Sequence, residues 1–151
     1  QRGDDQPYVS IVAHSYGSTA ALMALSEYSF KVDALAVVGS PGSPAQSVDD
    51  LNVRNANVFV GEAAWDPIPN SSYFGPDPGS ARFGAKSLGV SGGFDVLMKQ
   101  PMAASVGHNA YFAPGSEAMR NFALLCVGRS DLIIPEGAPV VLRALAVASP
   151  R

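Results

Sequence analysis

Cysteine and histidine are nearly absent from this 151-residue chain, with one of the first and two of the second. A lone cysteine cannot close an internal disulfide, and two histidines without paired cysteines make no recognisable metal framework, so neither metal nor cofactor is expected. Cys126, inside the apolar stretch 122–127, reads as a small core residue. Charge is sparse as well. Ten basic residues stand singly against thirteen acidic ones for a net charge of -3, a pattern that argues against nucleic acid as a partner. No apolar run approaches the roughly 20 residues that span a bilayer, so no transmembrane segment is predicted. No basic stretch followed by an apolar one suggests a signal peptide. The chain starts at Gln1 and reaches an apolar strand by Tyr8. Something upstream is therefore expected, any N-terminal signal would lie outside this chain, and both a cytoplasmic and a secreted location stay open.

What is present is apolar patterning: 47% of residues are hydrophobic. A chain of this length buries roughly two thirds of its unfolded surface, enough for one domain core or a piece of one. Residues 8–13 read as a buried strand and Gly17 to about Tyr28 as a helix, with Lys31-Val-Asp33 as the return loop. Ala34–Val38, apolar on both faces and closed by Gly39-Ser-Pro-Gly-Ser-Pro44, reads as an inner parallel strand. A short helical segment follows over 47–51, then a third strand over 57–60. This alternation argues an α/β fold with right-handed crossovers. Residues 66–93 are punctuated by Gly and Pro and read as loops, with a short fourth strand over 85–90. Ser116 is placed to cap a helix from about Glu117 to Val127. Residues 1–128 are taken as the domain and 129–151 as a tail of unknown role.

The first strand runs into Ala13-His-Ser-Tyr-Gly17 and then into the helix. This is the layout of a nucleophile elbow, a tight strand-to-helix turn that pushes a serine hydroxyl out at the end of a sheet. Ala13 stands where the first glycine of Gly-x-Ser-x-Gly usually does, a mild departure because that position needs only a small side chain. Gly17 is expected where the helix passes close to a neighbouring strand. Ser15 is the candidate nucleophile and the Tyr16 N–H the candidate oxyanion donor.

A serine hydroxyl needs a base at neutral pH. His14 adjoins Ser15, where successive side chains diverge, so its ring is not expected to reach the hydroxyl. That leaves His108, in a loop before the last helix. The third role requires a carboxylate beyond a strand end, to hold the imidazole tautomer. Asp66, six residues after Val60, fits best. An Asx turn ahead of Pro67 is the competing reading of the same residue. Asp77, in a Pro-flanked turn, is the runner-up, and Glu62 is read as a neighbouring carboxylate without a direct role. The chain order Ser15, Asp66, His108 is that of α/β hydrolases.

Several segments in order resemble the actinobacterial α/β hydrolases catalogued as a domain of unknown function. They are Val12-Ala-His-Ser-Tyr-Gly-Ser18, Val37-Val-Gly-Ser-Pro-Gly42, Val60-Gly-Glu-Ala-Ala-Trp-Asp66, Phe74-Gly-Pro-Asp-Pro78 with Phe83-Gly-Ala85, and His108-Asn-Ala-Tyr-Phe112 with Gly115-Ser-Glu-Ala-Met-Arg-Asn121, together covering about 7–128. The resemblance implies an α/β-hydrolase-type parallel sheet with flanking helices, present as a C-terminal part lacking the first strands. It implies a serine-hydrolase-like triad at Ser15, Asp66 and His108, with no settled substrate. It also implies that one oxyanion N–H comes from a loop upstream of the elbow. Such a donor is worth about 3 to 4 kcal/mol in the transition state, so this chain alone is expected to be short of it.

Hydrolysis of an ester or related small-molecule acyl substrate is the leading expectation, with Tyr73, Phe74, Phe83, Tyr111 and Phe112 as lining for an apolar acyl pocket. A non-catalytic module of the same fold, binding a protein or lipid partner, is the alternative from another class. An acyltransferase would use the same three residues. Oligomeric state and acyl length are not legible.

Overall fold

The computed structural model describes residues 6–138. Four parallel strands form one sheet in the order β1 (Ser10–His14), β2 (Ala34–Val38), β3 (Val58–Gly61) and β4 (Lys86–Ser87). The pairing is in step from Ser10 opposite Ala34 to His14 opposite Val38, and from Leu35 opposite Val58 to Val38 opposite Gly61. All carboxyl ends therefore lie on one side, where loops can meet.

Side-chain alternation splits the core in two. Leu35 and Val37 of β2 join Val58 and Val60 and meet Leu22 and Leu25 of helix α1 (Tyr16–Glu27). Ala34, Ala36 and Val38 join Phe59 and meet Ala118, Phe122 and Leu125 of helix α2 (Glu117–Cys126). One helix thus covers each face, and every residue of β2 is inaccessible to water. Each fully buried Leu or Phe contributes roughly 1.5–3 kcal/mol relative to its exposed state. β1 is an edge strand among the described residues, and most of it is only partly buried.

β2 and both helices form close to where the residue pattern places them. Ser116 Oγ accepts the Met119 N–H at the start of α2, and a short 3₁₀ turn at Val48–Asp50 is closed by a reciprocal Ser47–Asp50 capping box. β1 begins two residues later than expected, because the Val9 N–H donates to Asp33 Oδ2 and the Tyr8 hydroxyl reaches across to the Leu125 carbonyl. β4 keeps only two residues, since the Gly89 N–H leaves the ladder for the Ile134 carbonyl.

A two-stranded antiparallel hairpin, β5 (Gly93–Asp95) and β6 (Gln100–Met102), was not legible in the sequence. Asp95 organises it: Oδ1 accepts the Leu97 and Met98 N–H groups, and Oδ2 pairs with Arg120 at 2.7 Å. Cys126 is exposed and not a core residue, because the buried stripe of α2 ends at Leu125 and the next position turns about 100° away from it. Of the segment 129–151, Ile133 and Ile134 are buried and the Glu136 carboxylate accepts the Val90 and Ser91 N–H groups, while 139–151 lie outside the described residues. Among the described residues no helix is long and apolar enough to cross a membrane.

Candidate functional site

Ser15 sits between β1 and α1 with φ 56° and ψ -132°, a conformation that L-residues rarely hold. Neighbouring bonds force it there. The Ser15 N–H donates to the Val38 carbonyl, the Ser18 N–H donates to the Ser15 carbonyl, and the Ser18 hydroxyl bridges the Ser15 carbonyl and Ser40 Oγ. Thr19 Oγ1 donates to the Gly42 carbonyl, tying the first turn of α1 to the loop after β2. Gly17 does not serve the expected close approach: a Cβ there would meet nothing within 4 Å, because no described strand lies on that side. The glycine crowded here is Gly39, and what crowds it is the side chains of the site. It has φ 57°, and a Cβ on it would stand 2.9 Å from Asp66 Oδ2 and 3.1 Å from the His108 ring.

His108 is delivered to the same place from far along the chain. The Gly107 N–H donates to the Ala64 carbonyl at 2.7 Å, and residues 64 and 106 form a parallel bridge, so this loop is laid beside the one carrying Asp66. His108 Nε2 stands 2.7 Å from Ser15 Oγ. Its Nδ1 lies 3.0 and 3.1 Å from the two oxygens of Asp66. An ionised carboxylate only accepts hydrogen bonds, so Nδ1 carries the proton and Nε2 is left to accept from the serine. The structure thus brings Ser15, Asp66 and His108 into one chain of contacts.

The Asp66 side chain is wholly buried. Burial favours its neutral form, but hydrogen bonds from the Tyr111 hydroxyl, the Ile68 N–H and His108, with the charge of His108, outweigh this and hold its pKa below the usual carboxylate value. The contact to Ile68 N–H at 3.0 Å is the Asx turn ahead of Pro67. Asx turn and histidine partner are therefore not alternatives, because one carboxylate does both. Asp77 instead accepts the Gly79 N–H within its own turn. Glu62 has its pKa pushed up to about 7 by desolvation, by a hydrogen bond and charge from Asp77, and by the charge of Asp66.

Two contacts escaped the sequence reading, which gave Tyr111 to an acyl pocket and His14 no part. Tyr111 is fully buried; its hydroxyl donates to Asp66 Oδ2 at 2.6 Å and accepts the Ala63 N–H at 2.9 Å. Burial, partly countered by that N–H, and the Asp66 and Glu62 charges raise its pKa, keeping the phenol a donor. His14 Nε2 donates to the His108 carbonyl at 2.7 Å, and the two rings lie 4.7 Å apart. The spacing His108-x-x-Tyr111 was the only available signal for the first, and none existed for the second.

Of the aromatics expected to line an acyl pocket, Tyr73 and Phe74 stand beside Ser15. The other three do not. Phe83 is 1% exposed in the core beneath α1, Tyr111 is committed to Asp66, and Phe112 packs edge-on to His14 and against Phe122. Tyr16, at the first helical position, is exposed, and its N–H is among the amides that an α-helix cannot satisfy internally.

An alpha/beta hydrolase family model matches residues 2–76, a stretch that holds Ser15, Tyr16 and Asp66 and ends before His108. An uncharacterized protein of Mycobacterium tuberculosis, found in two strains, is 28% identical over 148 residues, covering 85% of this chain. The chain spans only 23% of the length of these curated relatives. No solved structure matches it significantly. The family match, the parallel four-stranded sheet and the helix on each face together give the chain an α/β-hydrolase-type fold.

Proposed function

We propose that this chain carries the nucleophile, base and acid of a serine hydrolase that cleaves an ester or related acyl substrate. The observation that supports this reading most directly is the unbroken contact from Ser15 Oγ through His108 to Asp66, with the ring oriented by a buried carboxylate. Ser15 Oγ attacks the acyl carbon while His108 Nε2 takes the hydroxyl proton. Asp66 stabilises the resulting imidazolium without itself becoming protonated, and Tyr111 and the Ile68 N–H keep that carboxylate ionised. The oxyanion forms before the Tyr16 N–H, at the positive end of α1. His108 returns its proton to the leaving alcohol as the C–O bond breaks, then activates water to release the acyl group from Ser15. The likeness to the actinobacterial proteins of unknown function belongs to the same proposal.

Fluorophosphonate labelling of the folded chain, with mass spectrometry to locate the adduct and a thermal melt alongside, tests it. An adduct on Ser15 that disappears in His108→Ala is the expected result. A cooperatively melting chain without an adduct would overturn the proposal and leave a non-catalytic module.

A further inference from the structure

A cavity of about 280 Å³ opens beside Ser15, walled by Tyr16, Pro41, Ile68, Tyr73 and Phe74. Among the described residues no charged side chain lines it. The hydroxyl of Ser71, which also borders it, is already engaged, donating to the Ile68 carbonyl at 2.6 Å. The wall is built before any ligand arrives. The Phe74 N–H donates to the Pro41 carbonyl at 3.0 Å, and Phe74 packs edge-on against both Tyr16 and Tyr73, with ring centres 5.5 and 4.8 Å away. Behind it Gly75, at φ 144°, lies so close to the Ser43 carbonyl that no side chain could be accommodated. Ile68 belongs to the turn whose N–H holds Asp66.

Resting on the serine-hydrolase reading, we propose that this cavity is the acyl-binding site and that it selects a short to medium, uncharged, apolar acyl group. The walls offer mainly apolar and aromatic surface and, among the described residues, no counter-charge for a carboxylate, phosphate or ammonium, so a charged acyl group would lose hydration without being neutralised. Size sets the upper bound. At about 280 Å³ and open to solvent, the cavity lies just below the usual range of small-molecule pockets, on the scale of a short to medium acyl chain. Long fatty acyl chains would project into water.

A series of p-nitrophenyl esters from acetate to laurate tests this, with kcat/KM as the readout and Ser15 labelling as the control. Each buried methylene is worth about 0.8 kcal/mol, or about fourfold, and in a site open on one side about tenfold is expected from acetate to hexanoate, with a decline by laurate. The hemisuccinate ester should be at least tenfold poorer than hexanoate. Ile68→Trp, which fills the cavity, should lower the hexanoate-to-acetate ratio, and Phe74→Ala, which lengthens it, should raise the laurate-to-hexanoate ratio. These ratios are internal to each variant. A flat chain-length profile in a chain whose Ser15 is labelled would overturn the acyl site and leave the hydrolase reading standing. Absence of both labelling and turnover would overturn both.

Discussion

The strain at Ser15 and the hydrogen bonds behind Asp66 set opposite demands on single residues. Ser15 holds a backbone conformation in which only glycine is at ease, at a cost of order 1–3 kcal/mol. Ser15→Gly should therefore unfold at higher urea concentration than Ser15→Ala, by about 1 kcal/mol in denaturation midpoints at equal slope, while neither variant takes a fluorophosphonate. Tyr111 acts in the other direction. Tyr111→Phe leaves the Ala63 N–H without its acceptor and removes one donor from Asp66, so it should cost about 1–3 kcal/mol in urea unfolding and lower ester turnover. His14, bonded to the carbonyl of His108, ties the loop that carries this ring to the end of β1.

At the scale of elements, all of the site but His108 follows on a strand. Ser15 starts α1, Gly39 follows β2 and Asp66 follows β3, so three neighbouring parallel strands deliver three parts of the site to one edge of the sheet. α2 supports them from one face without touching the chemistry. Its start depends on the Ser116 hydroxyl, which satisfies the Met119 N–H. Ser116→Ala should cost about 1 kcal/mol in thermal or urea unfolding and leave the hexanoate-to-acetate preference as it was.

Across the whole molecule, two carboxylates of opposite shift shape the response to pH. Asp66 is held below its ordinary value, so its contribution to stability is present above about pH 4 and is lost as pH falls through its folded value. Glu62 runs the other way. Its pKa rises from 4.5 to about 7 on folding, so the native state binds the proton more tightly than the unfolded one. That contribution is complete below about pH 4.5 and is lost as pH rises toward 7. The melting temperature should therefore fall between pH 5 and 7.5, and Glu62→Gln should flatten that part of the profile in a differential scanning series. The change is small, because Glu62 is exposed and solvent screens its neighbours' charges.

Local chemistry made much of this legible from the chain alone. The unbroken apolar run of β2, the Ser116 cap and the small-residue turn around Ser15 are short-range patterns, and such patterns report periodicity and unsatisfied amides directly. Elimination among two histidines and a few carboxylates could then select the three side chains that the structure brings into contact, because so few were available. The contacts themselves belong to tertiary structure. Ser15 and His108 are 93 positions apart, Asp66 and His108 are 42 apart, and only the strand order and the bridge between residues 64 and 106 set their spacing. The same holds for what the sequence misplaced. Cys126 turned outward, Phe83 sank beneath α1, Tyr111 took Asp66 in place of a substrate, and Gly17 was left without the close approach expected of it. Which neighbour a side chain meets depends on the packing of distant segments, and that is decided only when the sheet is assembled.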